Sequence, residues 1–122
     1  MLLKLNSPTI ETDIQNNLAE IREAMDVKTH SPYDQSQKLE NLICLLGMAC
    51  DTRAAAFHLC AMNERIMIDK YKLSGNSRNR DAIRHTAYEN TLYEYSNTIL
   101  DSLHESIGAL RTLVSYSKKE TL

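Results

Sequence analysis

The chain has few residues that interrupt helices. Its 122 residues include three glycines and two prolines, and both prolines lie before residue 33. Tryptophan is absent and phenylalanine occurs once, so leucine, isoleucine, methionine, alanine and tyrosine must supply the core. This composition predicts an all-α protein, and the length predicts that residues 1–122 form a single domain.

Recognisable catalytic or metal sites are also absent from the sequence. The three cysteines, Cys44, Cys50 and Cys60, are odd in number without a close pair, which argues against a disulfide framework or a zinc site. Because they fall on or near the apolar stripe of the second predicted helix, we expect them to be small core side chains. No glycine-rich phosphate loop or hydrolase signature occurs, and no apolar run approaches the roughly 20 residues that cross a bilayer. We therefore expect a non-enzymatic cytoplasmic protein (host cytoplasm if phage-encoded) that uses no metal, cofactor or membrane.

Three helices are predicted, over residues 8–28, 32–73 and 77–118. Ser-Pro pairs precede the first two, since serine is a good N-cap and proline is accepted at the first helical position. Asp34 resembles the acid of a capping box. Gly75 lies in the break between the second and third helices and suits a left-handed C-cap.

Each predicted helix carries an apolar stripe. The first stripe is Ile10, Ile14, Leu18, Ile21 and Met25. The second is Leu39, Leu42, Ile43, Leu46, Cys50, Phe57, Cys60, Met67 and Tyr71. The third, at heptad spacing, is Leu92, Ser96, Ile99, Leu103, Ser106, Leu110 and Leu113. Gly47 interrupts the second stripe and predicts close helix packing or a kink.

The stripes predict a long antiparallel hairpin of the second and third helices, with the shorter N-terminal helix packed on it like a helical bundle. Two helices of about 40 residues, each roughly 60 Å long, cannot bury all their apolar surface against each other. We therefore expect a homo-oligomer.

Positive charge is concentrated in one segment of this acidic chain. Residues 65–85 carry six basic and two acidic residues, a net +4, whereas residues 1–64 carry −4 and residues 86–122 carry −2. Such segregation localises the attraction for anions. The predicted nucleic-acid-binding residues are Lys70, Tyr71, Lys72, Arg78, Arg80 and Arg84. The lysines would hold phosphates while a base stacks on the tyrosine ring; the alternative is a solvated basic turn.

Arg80 and His85 form an Arg-x4-His pattern. It resembles the motif of HEPN-domain ribonucleases, where arginine and histidine act together on an RNA phosphodiester in a four-helix bundle. Arg53 and His58 repeat the spacing within the second helix, so the pattern has low specificity. A HEPN-like ribonuclease, or an antitoxin-type relative of one, is an alternative function.

A second resemblance covers residues 53–120, a little over half of the chain. The alanine-rich stretch 53–56, the basic stretch 69–73, the glycine-containing break and the long last helix resemble phage recombination mediator proteins of the UvsY type. The resemblance implies a helical, ring-forming protein that binds single-stranded DNA and helps load a recombinase onto DNA coated by single-strand binding protein. The overall acidity and the long acidic N-terminal part depart from that family.

The leading hypothesis is thus an oligomeric accessory protein that binds single-stranded nucleic acid, with an affinity that falls with salt. A third class is a protein-binding adaptor, such as a small phage protein that blocks a host factor. Its contact surface would be the acidic side of the first helix, formed by Asp13, Glu20, Glu23 and Asp26.

Overall fold

A computed structural model of the chain describes residues 8–71 and 87–120. They form three helices: α1 spans Pro8–Met25, α2 spans Pro32–Tyr71 and α3 spans Ala87–Glu120. No strand occurs within these two ranges. The all-α prediction is confirmed. The predicted end of the second helix at residue 73 and the predicted start of the third at residue 77 lie outside the described residues.

α1 ends at Met25, three residues before the predicted end. The amide of Asp26 donates to the carbonyl of Arg22 at 3.0 Å, which closes the last turn. Beyond it, Lys38 Nζ of α2 donates to the carbonyl of Val27 at 2.8 Å. Because a side chain of the next helix satisfies this carbonyl, the backbone does not need to continue its helical bonding to residue 28.

α2 begins with the predicted cap. Ser31 Oγ accepts a hydrogen bond from the amide of Asp34 at 3.1 Å, and Asp34 Oδ2 accepts one from the amide of His30 at 3.1 Å. The carbonyl of Ser31 accepts the first helical bond, from Gln35, at 3.0 Å. The arrangement is a capping box whose reciprocal bond goes to the residue before the cap.

α2 is continuous through Gly47. This glycine is exposed, and a Cβ atom built on it would meet no atom within 4 Å. Neither the predicted kink nor close packing of another described helix of the chain occurs at Gly47. Gly108, in the middle of α3, has the same exposure and the same open surroundings.

One hydrophobic core joins the three helices. The contribution of α1 is Ile14, Leu18, Ile21 and Ala24, and that of α3 is Leu92, Ile99, Leu100, Leu103, Ile107 and Leu110. The predicted stripe of α1 is confirmed, with partly buried residues at its two ends. On α3 the predicted seam shifts near its end: Ile107 is buried where Ser106 was expected, and Leu113 is 48% exposed.

The core-facing side of α2 differs from the predicted stripe. We call it the inner face; its buried residues are Leu42, Leu45, Ala49, Thr52, Ala56, Leu59 and Asn63. They recur at alternating steps of three and four, which is heptad spacing. Ile43, Cys50 and Phe57, all members of the predicted stripe, are exposed. The prediction followed the largest apolar side chains, whereas small residues face the core over the middle of the helix.

Hydroxyl groups within the core bond to their neighbours. Thr52, only 3% exposed, accepts a hydrogen bond from Asn17 Nδ2 of α1 at 3.4 Å. Ser96 donates to the carbonyl of Tyr93 at 2.6 Å. These bonds explain how polar residues occupy heptad positions without an uncompensated loss of hydration.

Candidate nucleic-acid interface

The basic segment begins in the last turns of α2, and the rest of it lies between the described ends of α2 and α3. Lys70 is exposed in the last turn of α2. Tyr71 closes that helix, but its side chain is outside the described part. The remaining predicted contacts, Lys72, Arg78, Arg80 and Arg84, also lie outside the described residues. How these side chains sit relative to Lys70 stays a prediction.

The described helices and the segment between them have opposite charge. Residues 8–71 carry six basic and ten acidic residues, and residues 87–120 carry three basic and five acidic residues. These two ranges therefore have a net charge of −6. Residues 72–86 carry four basic residues and one acidic residue, a net +3. Charge segregation of this kind localises the attraction for anions to the connection.

The last turns of α2 have mixed charge. A shallow groove of about 450 Å³ on this surface is lined by Ala61, Glu64, Arg65, Ile68 and Asp69. Two carboxylates beside one guanidinium make it a poor phosphate site. A lysine in the last turn is also favoured by the helix dipole, so Lys70 has an ordinary role in helix stability. The excess of positive charge therefore lies in residues 72–86, beyond the end of α2.

Arg53 and His58, the second Arg-x4-His pair, do not share a face. Both are exposed on α2, but five residues along an α-helix correspond to a rotation of about 140° between side chains. The two groups cannot converge on one phosphate. The other pair, Arg80 and His85, lies outside the described residues.

Other candidate chemistry on the described helices is sparse. Across residues 8–71 and 87–120, no group of three or more His, Cys, Asp or Glu side chains is placed to hold a metal ion. Cys44 and Cys50 are exposed and Cys60 is buried, so the expectation of core cysteines holds only for Cys60. None of the three belongs to the heptad series of the inner face, but Cys60 is nevertheless only 6% exposed.

Tyr95 links α3 to α1. Arg22 Nη1 donates a hydrogen bond to its hydroxyl at 3.2 Å, beside a shallow groove of about 360 Å³ that Leu18 and Leu92 help to line. The hydrogen bond to Tyr95 raises the pKa of Arg22 above its ordinary value, with a smaller contribution from Asp26. The ring is 36% exposed and belongs to this helix contact.

An exposed apolar stripe on α2 was not predicted from the sequence. We call it the outer face; it consists of Ile43, Gly47, Cys50, Ala54, Phe57 and Ala61, all of them exposed. The signal that could have revealed it is a second heptad series, offset from the inner face, in steps of four and three. Phe57 is 57% exposed, and its ring centroid lies 5.4 Å from that of Tyr93 on α3.

The outer face also affects the hydropathy of α2. By length and composition this helix could cross a membrane: it reaches a mean hydropathy of 1.4 over 18 residues, a window one-third buried within the protein. Core helices of soluble proteins pass the same test. Asp51 and Arg53 lie near the middle of α2, where a bilayer would penalise both charges.

No family model, curated protein sequence or solved structure matches this chain. The resemblance to recombination mediators rests on the sequence pattern of residues 53–120.

Proposed function

We propose that this protein binds single-stranded nucleic acid through the basic connection between α2 and α3. The observation that carries the proposal is the contrast between a net charge of −6 on the described helices and +3 on residues 72–86. Phosphate contacts supply most of the sequence-independent affinity for nucleic acid. A polyanion would therefore engage this connection and avoid the helices.

The binding mode follows from the residue types in and beside this segment. Lys70, Lys72, Arg78, Arg80 and Arg84 would neutralise phosphates, and Tyr71 would stack on an unpaired base. A duplex offers no unpaired base to such a ring. The mode predicts a preference for single strands and little dependence on base sequence.

We further propose that α2 and α3 form an antiparallel hairpin and that the chain self-associates. A connection of 15 residues joins two helices that share one core, which supports the hairpin. Self-association would present several basic connections to one strand, and avidity would raise a weak contact considerably. In this form the protein would act, without enzymatic activity, as a recombination mediator whose partners are a recombinase or a single-strand binding protein.

The test is fluorescence anisotropy of a labelled single-stranded oligonucleotide at several salt concentrations. Arg78, Arg80 and Arg84 are replaced together by Ala. We expect binding at low salt by the unmodified chain and at most residual binding by the variant. The slope of log affinity against log salt should become shallower by about 2, since each single-strand phosphate contact contributes about 0.7.

A matched control removes three cations that lie outside the connection: Arg22, Lys28 and Arg111 are replaced by Ala. All three are exposed, so the net charge changes equally. Retained binding by this variant would assign the affinity to the connection. An equal loss of affinity in both variants would show that binding depends only on the net charge of the chain. An affinity that does not change with salt would contradict the proposal.

The adaptor hypothesis is favoured by one observation. Asp13, Glu20, Glu23 and Asp26 are all exposed on α1 and present an acidic surface to a basic partner. If the chain binds no oligonucleotide, this surface becomes the leading candidate. A pull-down would then compare the unmodified chain with a variant in which Asp13 and Asp26 are replaced by Asn, and Glu20 and Glu23 by Gln. Cleavage of RNA that disappears with His85→Ala would instead support the ribonuclease alternative.

A further inference from the structure

The outer face of α2 is an apolar stripe that faces outward. Its six residues follow one another in steps of four, three, four, three and four, so they form one line along the helix. Each of them is exposed, although the inner face of the same helix is buried against α1 and α3. The stripe contains no charged residue between Ile43 and Ala61.

Gly47 lacks an explanation within the chain. Glycine in the interior of a helix lowers stability relative to alanine. A Cβ at this position would meet nothing within 4 Å, so packing inside the described chain gives no reason for the glycine. Ten residues later, on the same face, the ring of Phe57 rests against Tyr93 but stays 57% exposed. Gly47 therefore has empty space beside it, and Phe57 has a ring that is only partly covered.

We propose that the outer face of α2 is the contact surface of an antiparallel homodimer. A two-fold axis beside residue 52 would place Phe57 opposite Gly47 of the partner subunit. The same axis would place Ile43 opposite Ala61 of the partner subunit, and Cys50 opposite Ala54 of the partner subunit. Every layer then joins a larger and a smaller side chain, the combination that fills space between packed helices. A parallel pair would instead set two phenylalanines together and leave two glycines facing a gap.

Charge at the ends of the stripe favours the same orientation. Glu40 lies one turn before Ile43, and Arg65 lies one turn after Ala61; both are exposed. An antiparallel dimer brings Glu40 near Arg65 of the partner subunit at both ends of the contact. A parallel dimer would bring like charges together, which is unfavourable.

This interface gives a location to the self-association proposed above, and it is independent of nucleic-acid binding. The test is therefore made without nucleic acid, by sedimentation velocity and light scattering over a range of concentrations. We expect the unmodified chain to reach twice its 13.9 kDa mass as concentration rises. A mass that stays monomeric at all concentrations would overturn both the interface and the proposed self-association, while leaving the oligonucleotide experiment unaffected.

A pair of matched variants locates the interface. Gly47→Gln puts a side chain in the path of Phe57 of the partner subunit, whereas Gly108→Gln makes the same change at an exposed glycine of α3 with equally open surroundings. Glutamine is a good helix former, so both variants should fold, as circular dichroism will verify. We expect Gly47→Gln to be monomeric and Gly108→Gln to keep the mass of the unmodified chain. Retention of that mass by Gly47→Gln would overturn the proposal.

Charge reversal tests the orientation. Glu40→Arg should raise the dimer dissociation constant about tenfold or more, since it creates two like-charge contacts per dimer. Combining it with Arg65→Glu should restore the original value. A double variant as weak as the single one would overturn the antiparallel pairing. Flotation of the unmodified chain with phosphatidylcholine vesicles as a monomer would assign the outer face to lipid and overturn the dimer.

Discussion

Two faces of α2 have the same heptad spacing but opposite surroundings. The inner face is buried against α1 and α3, although it includes Thr52 and Asn63. The outer face is exposed, although it includes Ile43 and Phe57. The difference shows that hydrophobicity along a long helix does not by itself determine which side enters the core. The position of the neighbouring helices determines which side is buried. Small residues are well suited to the space between packed helices.

The largest difference in the free energy of unfolding should be found between substitutions at adjacent residues on the two faces. Leu42 is completely buried, so Leu42→Ala should lower the free energy of unfolding by about 2–5 kcal/mol. Ile43 is 38% exposed, and Ile43→Ala should cost less than about 1 kcal/mol when the protein is dilute. Urea unfolding at low concentration measures both. Equal losses would contradict the assignment of the two faces.

Thiol reactivity should next separate the buried side of α2 from its exposed sides. Cys44 and Cys50 are exposed, and Cys60 is buried. We expect a thiol reagent to modify Cys60 at least about tenfold more slowly than Cys44, because local opening must precede reaction. Cys50 should react like Cys44 in dilute protein and more slowly as the dimer forms. Single-cysteine variants followed by mass spectrometry give the three rates. A concentration-independent rate at Cys50 would count against the dimer.

A substitution at the start of α2 should lower the stability of the fold without changing self-association. Ser31→Ala removes the oxygen that accepts the amide hydrogen of Asp34, and helix caps of this kind contribute about 1 kcal/mol. The midpoint of unfolding should fall while the dissociation constant of the dimer stays unchanged. Ser115→Ala, at an exposed site on α3, serves as the control and should leave stability nearly unaltered. A loss confined to self-association would show that the cap acts through the outer face.

The smallest effect should distinguish the two glycines by its dependence on protein concentration. In dilute protein, Gly47→Ala and Gly108→Ala should each stabilise the chain by about 0.5–1 kcal/mol, since neither Cβ meets a neighbour. In concentrated protein the gain at Gly47 should shrink, because the added methyl weakens the dimer. Thermal unfolding at two concentrations provides the measurement. An identical gain for both variants at high concentration would argue against a partner over Gly47.

Much of the fold could be predicted from local patterns. The stripe of α1 has one apolar series on an otherwise polar helix, so the buried residues Ile14, Leu18 and Ile21 could be identified directly. The Ser31 cap depends on residues within one turn, and it too was predictable. The end of α1 was placed wrongly because it depends on Lys38, a residue of the next helix.

The faces of α2 could not be predicted in the same way. Two interleaved heptad series run along this helix, and the predicted stripe mixed members of both, such as Leu42 and Ile43. Choosing between the series requires the positions of α1 and α3, which no pattern within α2 contains. The candidate site rests on net charge, which the sequence provides in full. The geometry of Lys72 and the three arginines of that segment stays a prediction.

The contact between Lys38 and Val27 has a consequence for the order of folding. The two residues are 11 positions apart, whereas Phe57 and Tyr93, which join α2 to α3, are separated by 36 positions. Closing the longer loop costs about 1 kcal/mol more chain entropy. The corner between α1 and α2 should therefore form first, as a local template. α3 would dock onto this corner later, because the longer loop that contains the basic connection must close first. A longer connection should therefore slow folding.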